Sequence, residues 1–410
     1  MQIEFFNFFT LSVTLISLCS VGYLAFALFA VERFNYKRNK SNPVNDFQPP
    51  VTILKPIYGL DAELLKNLRS FCQQDYPEYQ IIFGIHNDKD LALPIVKKIL
   101  KEFKNIDVSY VVDSRIYGCN HKVSNLINMF PTAKHDYLLV ADSDMRVPPN
   151  YLSELMSPFA DSSVGAVTSL YSGSARGKLA SSLNAMFINE WFLPSVLISR
   201  ILQPIKFCLG ATMIVRRDLL KKIGGFKTLS NYLADDYMLG KLISELGYNI
   251  HLSDFIVENI VEEASFKDLM LHELRWARTL RRVEPLGYLC TFLTDTLVIS
   301  SIAAVTLFMT TQNAGLSLLP ILLVFLGRIV LHSRTKQITG SSSAGSIWLI
   351  PLRDILSFSI RVISFTGTSI QWRNNAFNVD QSGLIHTEEE LLIELDSVEK
   401  IPDLATSQDY

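Results

Sequence analysis

Aspartates stand at the ends of apolar runs at three separate places in this chain. Asp142 and Asp144 directly follow such a run, Asp90 ends another, and Asp235 and Asp236 occur together further along. Open α/β sheets bind their ligands outside the carboxyl ends of the strands, where such side chains collect. An Asp-x-Asp pair at a strand end suits a divalent cation that carries a diphosphate. The sequence therefore predicts a metal–diphosphate site typical of a nucleotide-sugar transferase.

Each carboxylate pair also has a purely structural interpretation. Asp-x-Asp arises by chance about once in a chain of this length, Asp88 and Asp90 form a second copy, and a solvated turn would explain either. Asp235 and Asp236 precede an apolar helical pattern, so one can cap that helix while the other projects into a cleft. Neighbouring carboxylates raise the pKa of one partner, which suits a general base.

A basic segment ahead of the second apolar region contains His272, Arg275 and Trp276. The Arg275 guanidinium can neutralise a departing diphosphate, and the Trp276 indole can stack on a sugar. The alternative is an interfacial helix that docks on anionic headgroups, and we assign Arg281 and Arg282 to that role.

Lys122 lies at the predicted start of a helix, shortly after Gly118. A lysine near a helix N-terminus suits a phosphate group. A plain surface position explains Lys122 equally well, so both interpretations stay open.

Short apolar runs alternate with helical patterns through the middle of the chain. The predicted strands cover residues 51–55, 79–85, 108–112, 137–140, 164–170 and 212–215. The predicted helices are one capped by Asp61 and those at residues 91–103, 122–129 and 236–246, the last ending before Gly247. This alternation predicts an α/β, Rossmann-like domain with a mostly parallel sheet.

The composition indicates a membrane protein. Of the 410 residues, 49% are hydrophobic and only 19% are charged. No charge occurs from Phe5 to Val31, and about 20 apolar residues suffice to span a bilayer. The run is too long for a signal peptide, and no basic region precedes it. Lysines and arginines follow at once, so the positive-inside rule predicts an external amino terminus and a cytosolic catalytic domain.

A second apolar region begins near residue 285. We expect two spans, at residues 286–309 and 315–331, with Asp295 and Arg328 facing the interior of the bundle. Residues 346–367 hold three charges and are predicted to form a third span or a re-entrant or interfacial helix.

These features divide the chain into an ordered set of predicted segments. They are an N-terminal anchor at 1–32, a catalytic domain at 50–268, an amphipathic interfacial helix at 269–284, transmembrane or re-entrant helices at 285–370, and an acidic tail at 378–410 that is disordered apart from a short helix up to Leu395. The five scattered cysteines form no disulfide framework or zinc site. A net charge of −2 gives no indication of a nucleic-acid partner.

Taken in this order, the residues resemble the ceramide glucosyltransferase family, whose members are inverting membrane glycosyltransferases of the GT-A fold. The family pattern is three spaced aspartates followed by Gln/Arg-x-x-Arg-Trp. The corresponding positions here are Asp90, Asp142, Asp236 and His272-x-x-Arg275-Trp276. The likeness covers roughly residues 50–285 and extends to Leu54-Lys55-Pro56, Asp75-Tyr76-Pro77 and Asn120-x-Lys122-x-x-Asn125-Leu126.

Two positions depart from the family pattern. His272 replaces the usual Gln or Arg, and Leu193 stands where ceramide-specific members carry a histidine just before Pro194. The run from Asn189 to Pro194 looks more like the bacterial hopanoid branch, whose members transfer N-acetylglucosamine to a hopanoid polyol. The resemblance therefore implies a multi-pass protein of a bacterial inner membrane.

On the donor side, the resemblance implies binding of a UDP-sugar. Asp90 would bind its uridine end, and Asp142 and Asp144 would hold the ribose–diphosphate together with Mn²⁺ or Mg²⁺. Lys122 and Asp235 would contribute further substrate contacts.

On the acceptor side, the resemblance implies transfer to a membrane lipid. Asp236 would deprotonate the lipid hydroxyl, which attacks the anomeric carbon with inversion. Arg275 would stabilise the leaving UDP, Trp276 would shape the acceptor side, and His272 would contact substrate.

Two other classes of protein remain as alternatives. A processive polysaccharide synthase would extend a polymer, but the chain has few spans for a polymer channel and lacks the Gln-x-x-Arg-Trp form. A non-catalytic lipid- or nucleotide-binding regulator would not need three intact aspartate sites. Product size and UDP release distinguish these alternatives.

Overall fold

The computed structural model describes residues 2–40, 47–340, 345–367, 369–372, 375–380 and 383–386. The strands are β1 Val51–Ile57, β2 Tyr79–Ile85, β3 Asp107–Val112, β4 Tyr137–Ala141, β5 Met145–Arg146, β6 Val164–Ala175, β7 Thr212–Arg216, β8 Asn249–Val261, β9 Ser369–Trp372, β10 Asn375–Val379 and β11 Ile385–His386. The α-helices are α1 Gln2–Lys40, α2 Leu64–Phe71, α3 Leu93–Glu102, α4 His121–Met129, α5 Tyr151–Met156, α6 Leu179–Phe187, α7 Leu193–Leu202, α8 Arg217–Lys222, α9 Asp235–Glu245, α10 Phe266–Val283, α11 Pro285–Cys290, α12 Thr296–Thr311, α13 Ala314–Thr339 and α14 Ile350–Ser364.

The α/β domain is built on one eight-stranded sheet in the order β3-β2-β1-β4-β7-β6-β8-β5. Strands β1 to β4 run parallel to one another, and β6 is parallel to β8. Strands β7 and β5 pair antiparallel. The mostly parallel α/β sheet that the sequence predicts is therefore confirmed, and it brings the ends of β2 and β4 to one edge.

The predicted strands failed to include β8, and they placed the end of β6 too early. Strand β6 continues beyond residue 170 because its outer part pairs with β8 as far as Ala175 and Val261. In β8, polar residues such as Ser253 and Asp254 break the apolar alternation that marks a strand. The long β6–β8 pair extends the sheet toward the apolar helices of the chain.

The predicted cap of α2 is wrong. Glu63, in a left-handed conformation with φ of 53°, occupies the N-cap position and makes no side-chain cap. The Asp61 carboxylate instead accepts a hydrogen bond from the Ser143 hydroxyl. This aspartate thus contacts the strand-end loop that contains Asp142 and Asp144.

Among the described residues, three helical segments are long and apolar enough to cross a membrane. They are Glu4–Lys40, Leu179–Leu202 and Ala314–Thr339, and the bent pair Pro285–Thr294 and Thr296–Thr311 could supply a fourth span. The bend of 58° lies at Asp295, where a single span at residues 286–309 was expected. Helix α14 has 15 residues, which is short for a span.

The charges within the apolar helices lie inside the bundle, as predicted for Asp295 and Arg328. Asp295 pairs with Arg361 at 2.7 Å, and Arg328 pairs with Asp354 at 2.7 Å. Removing either partner would leave an uncompensated charge in an apolar environment, which is costly. These pairs therefore hold α12, α13 and α14 in one arrangement.

The segment Leu179–Leu202 was not predicted as a separate element. Helices α6 and α7 are joined by a π-helical turn at Ile188–Phe192. Asn189 in this turn donates to and accepts from the backbone of Gly173 in β6, and Glu190 pairs with His332 at 2.7 Å and Arg328 at 3.3 Å. The segment thus connects strand β6 of the eight-stranded sheet to the apolar helix α13.

A small sheet, β11-β10-β9, lies at the end of the described chain. Its side chains Ile370, Phe377, Val379 and Ile385 pack on Leu233. Residues 378–380 and 383–386, at the start of the segment expected to be a short helix followed by a disordered tail, therefore belong to this small sheet, because its apolar side chains have a buried partner surface. The predicted short helix up to Leu395 lies outside the described residues.

Candidate active site

The loop after β4 carries Asp142 and Asp144, and a buried lysine donates a hydrogen bond to its backbone. Lys55 in β1 is fully buried, and its Nζ donates to the Asp142 carbonyl oxygen at 2.6 Å. The same ammonium lies 3.6 Å from the centre of the Phe71 ring, a cation–π contact. Burial lowers the pKa of Lys55 to about 7, although the carboxylates of Asp144 and Asp142 oppose this.

Asp144 has the features of a metal-binding carboxylate. Its Oδ2 accepts from the Asn259 amide at 2.8 Å, whereas its buried Oδ1 has no hydrogen-bond partner among the described residues. Burial, followed by the charges of Asp142 and Asp61, raises the pKa of Asp144 to about 7. A buried carboxylate oxygen without a partner costs free energy that a cation would recover.

Within the described part of the chain, no group of three or more acidic, histidine or cysteine side chains surrounds a common point. A cation held through one or two carboxylates and a diphosphate needs no such cage. The residues present therefore fit a substrate-bound divalent ion and do not fit a permanently caged one.

The second carboxylate pair opens α9. Ala234 is the N-cap residue, so neither Asp235 nor Asp236 provides the predicted side-chain cap, although both lie in the first turn. Asp236 Oδ1 accepts from the Tyr237 backbone amide at 2.8 Å. A carboxylate in the first turn is favoured by the helix dipole.

The two carboxylate pairs meet across Gly210. A Cβ atom at this glycine would lie 3.1 Å from Asp236 Oδ2 and 3.6 Å from Asp142 Oδ2. The glycine therefore leaves open the space between these oxygens. This arrangement cannot be read from the sequence, because residues 142 and 210 are far apart in the chain. The antiparallel pairing of β4 with β7 brings them side by side.

Lys122 joins the two pairs electrostatically. Its Nζ lies 2.7 Å from Asp142 Oδ1 and 3.8 Å from Asp235 Oδ2. Burial alone would lower the pKa of Lys122, but Asp142 and Asp235 outweigh it and raise the pKa above its usual value. Asn120 caps α4 and also donates to Asp235 Oδ1 at 3.3 Å. The lysine is therefore a fixed positive charge and not a plain surface residue.

Burial raises the pKa of both α9 carboxyls. For Asp236, burial and then the Asp235 charge raise the pKa to about 6, while Lys122 opposes the shift. The pKa of Asp235 is also raised, chiefly by burial. A carboxylate with a pKa near 6 is ionised at neutral pH yet basic enough to accept a proton.

Asp90 lies at the same edge of the sheet, beyond the end of β2. Its carboxylate accepts from the backbone amides of Gly59, at 3.0 Å, and Ala92, at 2.8 Å. The aspartate thus fixes the loop after β1 to the start of α3. This is one edge of the crevice whose centre holds Asp142.

An aromatic cluster leads from the carboxylates toward the membrane helices. Burial first, and then the charges of Asp236 and Asp142, raise the pKa of Tyr171, while Arg275 lowers it. The Tyr171 ring centre lies 4.7 Å from that of Phe192, which lies 6.1 Å from that of Trp276. Trp276 therefore belongs to the same aromatic cluster as Tyr171, and the charges of Arg275, Asp142 and Asp236 all act on the Tyr171 hydroxyl.

His272, one turn before Trp276, is held by a buried carboxylate. Its Nδ1 lies 2.8 Å from Glu263 Oε1, and its ring stands edge-on to the Trp276 ring at 5.2 Å. The sequence did not single out Glu263 as a functional residue, because it is one of two adjacent glutamates that follow a strand. Lys55 did carry a signal, namely a lysine inside an otherwise apolar strand.

Two arginines of α10 have a role that the sequence did not predict. Arg281, expected at lipid headgroups, donates to the Gly367 carbonyl at 2.8 Å. Arg278 donates to the carbonyls of Thr366, at 2.8 Å, and Ser369. The backbone between α14 and β9 turns its carbonyls toward this helix, so these guanidinium groups fasten the small C-terminal sheet to α10.

The fold matches that of a known sugar-transferring enzyme. A mannosyltransferase from Pyrobaculum calidifontis, solved in complex with GDP-Man and Mn²⁺, aligns with a TM-score of 0.54 over 86% of this chain and 99% of its own, at 16% identity. The chain therefore has the GT-A fold, a mostly parallel sheet that here carries acidic residues at its strand ends.

Sequence comparison narrows the class to one family. A profile of glycosyl transferase family 21 matches residues 12–385, and the chain belongs to this family. It is 23% identical to ceramide glucosyltransferase 3 of Caenorhabditis elegans over 87% of this chain and 79% of that protein. It is 30% identical to the ceramide glucosyltransferase of Candida albicans, over 30% of this chain and 25% of that protein.

Proposed function

We propose that this enzyme transfers one sugar, N-acetylglucosamine or glucose, from a UDP-sugar to a hydroxyl group of a membrane lipid with inversion at the anomeric carbon. The observation that carries the proposal is the convergence of Asp142, Asp235 and Asp236 around Lys122 and Gly210, with Asp144 two residues from Asp142 in the same loop. The aromatic cluster that leads from these carboxylates toward the membrane helices supports a lipid acceptor.

On the donor side, Asp90 at the end of β2 would contact the uridine, and Asp142 the ribose. Asp142 and Asp144 would hold a divalent cation, Mn²⁺ or Mg²⁺, and the unpartnered Asp144 Oδ1 supports this assignment. When bound, such an ion supplies positive charge beside the diphosphate. The Pyrobaculum mannosyltransferase was solved with Mn²⁺, which is consistent with this cofactor.

In the chemical step, Asp236 would act as general base. Its carboxylate takes the proton of the acceptor hydroxyl, whose oxygen forms the new bond to the anomeric carbon. The bond from that carbon to the diphosphate oxygen breaks on the opposite face, and the electron pair leaves with UDP. Lys122 and Arg275 would then stabilise the charge on UDP.

Trp276 would form the wall of the acceptor site. Its contacts with the aromatic cluster give it a fixed orientation, and an indole face suits a ring or hydrocarbon body. The site would lie at the cytosolic headgroup plane, because lysines and arginines follow the first span.

For the acceptor, we propose a hopanoid polyol. Leu193, where ceramide-specific members carry histidine, is fully buried and follows Phe192 of the aromatic cluster. An apolar residue there offers no hydrogen bond to a sphingoid headgroup. Ceramide is the second candidate, and the names of the matched relatives favour it.

The test is a reconstituted transfer assay. Purified enzyme receives UDP-N-acetylglucosamine or UDP-glucose, each with a hopanoid polyol or ceramide in micelles, and the lipids are analysed by mass spectrometry. We expect a hopanoid product with one added sugar. Glucosylceramide as the sole product would show that the acceptor is ceramide and not a hopanoid polyol. Products with increasing numbers of added sugars would indicate a processive synthase. No UDP release with any lipid would refute the transferase proposal.

A further inference from the structure

A buried carboxylate, Glu263, organises a polar cluster beside the aromatic cluster. It lies just after β8 and is only 8% exposed. Its Oε1 accepts from the Asn184 amide at 2.6 Å and lies 2.8 Å from His272 Nδ1. Its backbone amide donates to the Ser181 hydroxyl at 2.9 Å. The carboxylate thus joins β8, α6 and α10.

These contacts determine which ring nitrogen of His272 carries the proton. An ionised carboxylate only accepts hydrogen bonds, so Nδ1 at 2.8 Å must donate to Glu263. Asn184 Nδ2 lies 3.5 Å from Nδ1 but is itself a donor, so it serves the same carboxylate. In the neutral ring, Nε2 then carries a lone pair and accepts a hydrogen bond.

The exposure and the neighbours of the His272 ring indicate what the Nε2 lone pair binds. About a third of the His272 side chain, 34%, is exposed, while Glu263 behind it is buried. The ring meets Trp276 edge-on, and Trp276 contacts Phe187 and Phe192. The imidazole is therefore partly exposed and lies beside Trp276, the proposed wall of the acceptor site.

We propose that Glu263 is a positioning residue that holds His272 with its proton on Nδ1, so that Nε2 accepts a hydrogen bond from a second hydroxyl group of the lipid acceptor. This inference rests on the proposed lipid transferase function. One hydroxyl of the acceptor reacts at Asp236, and another is recognised by His272. The site would thus select lipids that carry more than one hydroxyl.

The experiment compares acceptor and donor kinetics in the full-length enzyme. Glu263→Gln lets the side chain donate as well as accept, so the tautomer of His272 is no longer fixed. We expect Glu263→Gln and His272→Ala each to raise KM for a polyol lipid about tenfold, with UDP affinity within about twofold. The matched control is Glu262→Gln, the exposed neighbouring carboxylate, which should behave as wild type.

Two further comparisons separate recognition from a structural role. The double variant should be no worse than His272→Ala alone, because Glu263 acts through that ring. With a lipid that bears a single hydroxyl, the KM penalty of His272→Ala should vanish. His272→Gln, which keeps both a donor and an acceptor, should recover most of the polyol affinity and serves if the alanine variant does not fold.

The outcomes distinguish this inference from the proposed function. Additive penalties in the double variant, equal penalties on both lipids, or a wild-type KM in Glu263→Gln would overturn the role of the Glu263–His272 pair alone. Wild-type enzyme that transfers sugar to no lipid would overturn the proposed function and this inference with it.

Discussion

Replacing Asp236 by asparagine tests the assignment of the general base. The amide keeps the size of the side chain, and its Oδ1 can still accept from the Tyr237 amide at 2.8 Å. Asp142, Asp144 and Lys122 on the donor side are unchanged. The variant should therefore fold and bind UDP-sugar with nearly wild-type affinity, while losing the ability to take a proton.

The expected loss follows from that chemistry. General-base catalysis typically contributes about 10²–10⁴ in rate, or roughly 3 to 5 kcal/mol of barrier. Because burial and Asp235 raise the pKa of Asp236 to about 6, the proposed base is mostly ionised at pH 7. As pH falls through this pKa, the group is protonated, and kcat/KM should drop about tenfold per unit below pH 6.

The assay is UDP release coupled to lipid product, with UDP affinity measured by calorimetry. Asp235→Asn is the matched control, since Asp235 is the adjacent buried carboxylate and faces Lys122. It should lose less activity than Asp236→Asn. Turnover of purified, folded Asp236→Asn within about threefold of wild type would refute the reasoning and transfer the role to Asp235.

Three other perturbations have defined outcomes. Asp144→Ala should weaken donor binding and abolish the stimulation of activity by Mn²⁺ or Mg²⁺. If the wild-type enzyme keeps full activity in excess chelator, the metal assignment is contradicted. Gly210→Ala places a Cβ 3.1 Å from Asp236 Oδ2, so kcat should fall about tenfold without a change in thermal stability, whereas unchanged kcat would show that the gap is not used. Arg353→Met strips the buried Glu273 of its bidentate partner at 2.5 Å and should destabilise the protein by about 3 to 5 kcal/mol, measured by denaturation in detergent; an unchanged midpoint would contradict a structural role for this pair.

The sheet was largely predictable because its strands are short apolar runs with clear ends. Strand β2 begins and ends where the pattern predicts, and β4 extends only to Ala141. Strand β8 was not predictable, because Ser253 and Asp254 interrupt its apolar pattern and its stability comes from pairing with β6. Local propensity says little about a strand that tertiary pairing determines.

The candidate site was predictable as a set of residue types but not as an arrangement. Asp142, Asp235 and Asp236 do lie together, with Asp144 in the same loop as Asp142, yet the connection through Lys122 and across Gly210 depends on long-range pairing. Glu263 was invisible in the sequence because its role comes from His272, which meets it only through the packing of α10 against β8 and α6. The roles of all these residues remain predictions that the variants above test.

The central claim is that one sugar is moved to a lipid hydroxyl with inversion. Its most direct measurement is the nuclear magnetic resonance spectrum of the lipid product made by purified enzyme from an α-linked UDP-sugar. The account predicts a single added sugar whose anomeric coupling constant is that of a β-glycoside. An α-linked sugar or an extended chain on the lipid would contradict it.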